Sequence, residues 1–189
     1  MAVVSIKNKL RRGNLLVGND TFIPTSFESI ATVTVGAGGS STITFSSIPS
    51  TFAHLQIRTL IKQSGGDGAY MRFNSDSGSN YTRHRLQGNG TSVSAFGETG
   101  QTKFNINTNL GFSDFGTVII DILDYASANK YKTIRHLYGI DKNGSGGIGL
   151  ESGLWLNTNA VTTITFENPN GGNYSQYSHF ALYGIRGAA

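Results

Sequence analysis

Apolar residues recur at every second position along most of this chain, a period that leaves little room for helix. From Leu55, the set Leu55, Ile57 and Ile61 alternates with Gln56, Arg58 and Lys62, the pattern of a strand with one buried and one solvated face. Similar runs, rich in β-branched and aromatic residues, occupy 28–35, 42–48, 70–74, 118–123, 131–138, 148–156, 161–166 and 180–185. Between them stand Asp67-Gly68, Asn89-Gly90, Asn143-Gly144 and Asn170-Gly171, dipeptides whose second residue takes positive φ at little cost. About ten short strands at this spacing predict an all-β sandwich, jelly roll or barrel, and a β-sandwich of jelly-roll type is the fold expected here. The best helical segment, residues 125–129, is one turn at most, and no internal repeat interrupts the pattern.

Charge divides the chain unevenly. Lys7, Lys9, Arg11 and Arg12 carry the whole net charge of +4, leaving eleven basic against eleven acidic residues in 13–189. Residues 1–27 are therefore expected to form an extended N-terminal anchoring arm, and residues 28–189 the β-sandwich domain. The arm also holds Leu10, Leu15, Leu16, Phe22 and Ile23, apolar content suited to docking on a partner. The sequence pI is near 9.4, but a neutral body gains little from counterion release, so no nucleic-acid binding is expected of it. Residues 1–9 lack the apolar core of a signal peptide and no run is long enough to span a bilayer, so no membrane insertion is expected.

Charged residues make up only 14% of the chain, against about 25% in typical domains. Gly, Ser, Thr and Asn together supply 80 of the 189 residues. Such a surface does little to keep copies apart, and a homo-oligomer, a trimer in particular, is expected. The Gly- and Asn-rich stretch 88–109 reads as a long excursion with its own aromatics, Phe96 and Phe104. Trp155 alternates away from Leu154 and Leu156, so it either faces an interface or fills the opposite layer. Phe96, Phe104 and Trp155 are the candidate contacts for an oligomer or a glycan.

Catalytic and cofactor chemistry finds little support. There is no cysteine, hence no disulfide, thiolate nucleophile or cysteine metal site. Gly144, Gly146 and Gly149 fit a dinucleotide fingerprint, but the continuation is strand-like where a helix is required. Asp141, Asn143, Ser145 and Gly146 resemble the start of a calcium loop, yet position 12 is Ser152 and flanking helices are missing. His54, His84, His136 and His179 stand singly and are expected on polar strand faces. Asp121 and Asp124, three apart on a strand, face opposite sides and make a poor carboxylate pair. No enzyme activity, cofactor or metal is expected.

Four stretches carry a resemblance: residues 26–58 (SFESIATVTVGAGGSSTITFSSIPSTFAHLQIR), 121–139 (DILDYASANKYKTIRHLYG), 152–166 (SGLWLNTNAVTTITF) and 174–187 (YSQYSHFALYGIRG). They resemble small virion structural proteins of tailed bacteriophages, those of cyanophages and other aquatic phages in particular. The resemblance implies a β-rich particle protein: a short tail fibre or tail appendage that contacts tail, baseplate or capsid proteins, or a capsid cement (decoration) protein. It would be assembled into the virion in the host cytoplasm, with a host-surface glycan as a candidate partner. A free carbohydrate-binding module is the alternative from another class.

Overall fold

Alternation sends Val118, Ile120 and Ile122 inward and leaves Thr117, Ile119 and Leu123 outward, and a similar alternation runs through residues 54–61, 132–141 and 148–155. The computed structural model describes residues 26–65, 68–106, 112–169 and 171–187. These form fourteen strands, with no helix among the described residues: β1 (Phe27–Thr34), β2 (Thr42–Phe45), β3 (His54–Ile61), β4 (Gln63–Ser64), β5 (Tyr70–Phe73), β6 (Tyr81–Gly88), β7 (Val93–Gln101), β8 (Phe104–Asn105), β9 (Gly116–Leu123), β10 (Lys132–Asp141), β11 (Gly146–Trp155), β12 (Ile164–Glu167), β13 (Asn173–Tyr174) and β14 (His179–Ile185). The protein is an all-β sandwich. An eight-stranded sheet, in the order β1-β14-β3-β9-β10-β11-β6-β7, packs on a four-stranded sheet, β2-β12-β5-β8, and β13 pairs with β4 at one end. Every pairing is antiparallel.

The core lies where the two sheets overlap. Ile57, Ile120 and Leu182 from the large sheet meet Phe73, Ile164 and Phe166 from the small one, all fully buried. Aromatic rings bridge the layers: Phe166 lies 5.2 Å from Phe180, Phe73 5.5 Å from Trp155, and Tyr81 4.9 Å edge-on to Phe104. Each such pair adds about 0.5–1.5 kcal/mol beyond its burial. The Trp155 indole N–H donates to Asp76 Oδ2 at 2.7 Å. Asn80 Nδ2 and the Gly78 amide donate to the same carboxylate. Although burial pushes Asp76 upward, these donors hold its carboxyl below its ordinary value.

At eight strands against four, the large sheet extends beyond the small one, and its uncovered part is an overhang. Two hairpins build the overhang. In β10–β11 the turn residues Asn143 and Gly144 both have positive φ, and the Lys142 amide donates to Ser145 O at 2.7 Å. This tight turn occupies the segment that resembles a calcium loop. In β6–β7 the Asn89 side-chain oxygen accepts from the amides of Thr91 and Ser92. Of residues 88–109, expected as a long excursion, the described 88–106 instead supply the edge strand β7 and the short β8. Residues 125–129 are turn and loop, held by Lys132, whose ammonium donates to the carbonyls of Ser127, Lys130 and Thr158.

Two glycines on the inward face of β11 make room for rings. A Cβ on Gly153 would stand 2.7 Å from Phe104 Cε1 and 2.9 Å from Ile134 Cγ1, and one on Gly149 would stand 2.2 Å from Tyr138 Cζ. Gly153→Ala and Gly149→Ala should each destabilise the fold by about 1–3 kcal/mol through overpacking in chemical denaturation. Gly36→Ala, with nothing within 4 Å of its Cβ, should change stability by less than about 0.5 kcal/mol.

Candidate functional site: a charged pocket on the overhang

The inward face of the large sheet changes character partway across. One row of cross-strand neighbours runs Ile57, Ile120, His136, Glu151, Arg85, Phe96. The next runs Ile122, Ile134, Gly153, Arg83, Glu98. Directly opposed side chains share a face about 4.5–5.5 Å apart, so the rows pass from aliphatic core into a cluster of charges. The small sheet reaches only to Phe104 of β8, whose ring lies against Tyr81 and the space above Gly153. Beyond it, β6 and β7 form one wall of a cavity of about 530 Å³, lined by Tyr70, Arg83, Arg85, Phe96, Glu98, Gln101, Lys103 and Asn105.

The cations in this wall differ in how they are matched. The Arg83 guanidinium donates to Glu98 Oε2 through Nε at 2.7 Å, with Nη2 at 2.6 Å, and to Glu151 Oε1 through Nη1 at 3.4 Å. Arg85 is 8% exposed, and its Nε and Nη1 are buried without a hydrogen-bond partner. Its Cζ stands 5.3 Å from the centroid of the Phe96 ring. Lys103 places Nζ 3.7 Å from the centre of the Tyr70 ring, and burial, with Arg72 nearby, lowers its pKa.

Behind the wall, Glu151 and His136 are both buried. Burial pushes the Glu151 carboxyl up to about 7 despite Arg83 and Arg85 beside it. Burial, reinforced by Arg83, takes His136 down to about 3. The imidazole is therefore neutral, 3.9 Å from Glu151 Oε2, and both its ring nitrogens lack hydrogen-bond partners. The Tyr138 hydroxyl donates to Gln87 Oε1 at 3.2 Å. Among the described residues no group of His, Asp and Glu is arranged to hold a metal ion. The chemistry the cluster offers is recognition of an anion.

The opposite face of the overhang is apolar where solvent should be. Ile119, Leu137, Leu150 and Leu86 form a row across β9, β10, β11 and β6, each between 39% and 53% exposed. Beside it runs a polar row: Gln56, Asp121, Arg135, Ser152 and His84.

Of the candidate contact residues, only Phe96 is at the surface, in the pocket wall. Phe104 and Trp155 are 0% and 1% exposed, so they are core residues and not contacts: both close the cap between the two sheets. His136, expected on a polar face, is buried because its parity on β10 matches that of Ile134. Asp121 accepts from Gln56 Nε2 and Asp124 from Lys130 Nζ. Lys7, Lys9, Leu10, Arg11, Arg12, Leu15, Leu16, Phe22 and Ile23 lie outside the described residues. Arg83, Arg85, Glu98, Lys103 and Glu151 were not apparent as site residues. Parity held a signal for one of them: if Trp155 fills the interior, Glu151, four residues earlier on the same strand, must also point inward. No protein-family model matches the sequence, and comparison with curated proteins and with solved structures finds no similar chain.

Glu151 and His136 tilt the pH dependence of stability in opposite directions. Glu151 holds its proton more tightly when folded, so its contribution falls as pH rises from its ordinary 4.5 toward 7. His136 resists protonation when folded, so its contribution falls as pH drops from its ordinary 6.5 toward 3. In the native protein the two slopes offset each other between about pH 4.5 and 6.5. His136→Asn should leave the Glu151 slope unopposed, losing on the order of 2 kcal/mol between pH 5 and 7.5 in urea titrations. Parallel curves for the variant and the native chain would contradict this assignment.

Proposed function

We propose that the chain is a structural subunit of a tailed-bacteriophage particle, a short tail fibre or tail appendage. Residues 1–27 anchor it to other virion proteins, and the β-sandwich is presented at the host surface. The resemblance of four stretches to phage virion proteins supports this reading. The strand order supports it too: β1-β14-β3-β9 facing β2-β12-β5-β8 follows the alternation of an eight-stranded jelly roll, an architecture that recurs in viral capsid and lectin domains. On that reading, β6–β7 and β10–β11 are hairpins inserted into the jelly roll.

The observation that carries the proposal is the solvent-facing row of Ile119, Leu137, Leu150 and Leu86. Four adjacent strands offering large aliphatic side chains make a patch of the kind that marks an interface. A second copy of this chain is the occupant that fits. Asp121 and Arg135 lie beside the row, so the face carries both members of a complementary charge pair. The body as a whole has no net charge to oppose contact. Three such faces turned toward one axis would bury the row in a trimer, the assembly expected for a fibre.

The test is incorporation into particles. The full chain should sediment as a multiple of 20.2 kDa. The double variant Leu137→Glu, Leu150→Glu should sediment as a folded monomer and fail to join particles. Deleting residues 1–24 should leave a folded oligomer that also fails to join them. Normal incorporation of both variants would overturn the proposal, and a native chain that is monomeric in solution yet joins the capsid would favour a cement protein.

A further inference from the structure

We infer that the pocket between β6–β7 and the β5–β8 edge binds a carboxylated saccharide, a uronate unit whose carboxylate meets Arg85 and whose ring lies against Phe96. This deepens the host-surface reading above by naming the class of ligand, and rests on that reading for its biological setting.

Arg85 is the first ground. A buried donor left without a partner is costly, and Arg85 has both Nε and Nη1 unpartnered and lines the cavity. Its planar fork matches a carboxylate in bidentate geometry. Arg83, on the same strand, takes the ion pairs of Glu98 and Glu151, and Arg85 Nε and Nη1 donate no hydrogen bond to either carboxylate. Lys103 stands across the cavity as a second cation, stacked on Tyr70 and in no ion pair among the described residues.

The remaining lining narrows the class. Glu98 puts one negative charge into the wall, which disfavours a dianionic phosphate or a densely sulfated chain and suits a single carboxylate. Phe96 is 43% exposed and offers a flat apolar face at the mouth. Gln101 and Asn105 place amides around the same space, and amides suit hydroxyl groups that point in several directions. About 530 Å³ lies within the roughly 300–1,000 Å³ of small-ligand sites. An aromatic face, amides and the Arg85 fork together describe a sugar ring that carries a carboxylate, with Lys103 as a second cation across the cavity.

Isothermal titration of the full-length protein with an oligogalacturonate, its methyl ester, a neutral gluco-oligosaccharide, acetate and inorganic phosphate tests this. The free acid should bind at least about tenfold more tightly than the ester or the neutral sugar, the worth of a charge-assisted hydrogen bond. Acetate and phosphate should bind more weakly than the oligomer. Arg85→Gln should abolish binding. Lys103→Gln and Phe96→Ala, at the rim, should each weaken it about three- to tenfold without changing the melting temperature. Equal binding of acid and ester, tighter binding of phosphate, no binding of the acid, or rim variants with native affinity would overturn the inference. The rim variants should still join particles, so loss of saccharide binding with normal incorporation separates this inference from the particle reading.

Discussion

The indole of Trp155, packed against Phe73 and Tyr81 and hydrogen-bonded to Asp76, fixes which way β11 faces, and through it the facing of the whole overhang. Side chains on a strand alternate with a period of two, so a slip of one residue would turn the entire set over. With Trp155 inside, Gly153, Glu151 and Gly149 are inside as well. The register of β11 with β6 and β10 then carries Arg83, Arg85, His136 and Tyr138 to the same face. Leu150, Leu86 and Leu137 go outward by the same geometry. A core anchor at one end of a strand thus dictates an inverted distribution, charge inward and aliphatic outward, along its remaining length.

The inversion is tolerable because the small sheet stops short. Had β8 been followed by further strands, Arg83, Arg85 and Glu151 would lie in a closed interior, where unmatched charges are costly. With β8 only two residues long and at the sheet edge, Arg83 and Arg85 line an open cavity with Glu151 behind them, and Glu98 from the edge strand reaches Arg83. The innermost members adjust by proton occupancy: Glu151 titrates near neutrality and His136 stays neutral. Arg85, with Nε and Nη1 unpartnered, borders the open space.

Much of this architecture was legible from sequence. The strands β1, β2, β3, β5, β9, β10, β11, β12 and β14 all announce themselves by alternation, and the Asn89-Gly90 and Asn143-Gly144 turns fall where their φ preference puts them. The alternation around Trp155 narrowed it to two positions, and packing decided for the interior. What stayed hidden has a physical cause. In Tyr81–Gly88 the inward residues after Tyr81 are Arg83 and Arg85, so a search for apolar alternation passes over a genuine strand. Val93–Gln101 is an edge strand open to solvent on both faces, and its glycines and polar residues read as loop. The pocket joins residues from β5, β6, β7 and β8, and no linear spacing encodes that.

On the saccharide inference, Arg85 is a charge kept in place for a ligand and not for the fold. Thermal denaturation of Arg85→Met in the absence of ligand tests this most directly. If the guanidinium is buried without compensation, the isosteric apolar side chain should leave stability unchanged or raise the melting temperature by a few degrees. A loss of about 3–5 kcal/mol, the signature of a broken buried ion pair, would contradict it and make Arg85 a structural residue.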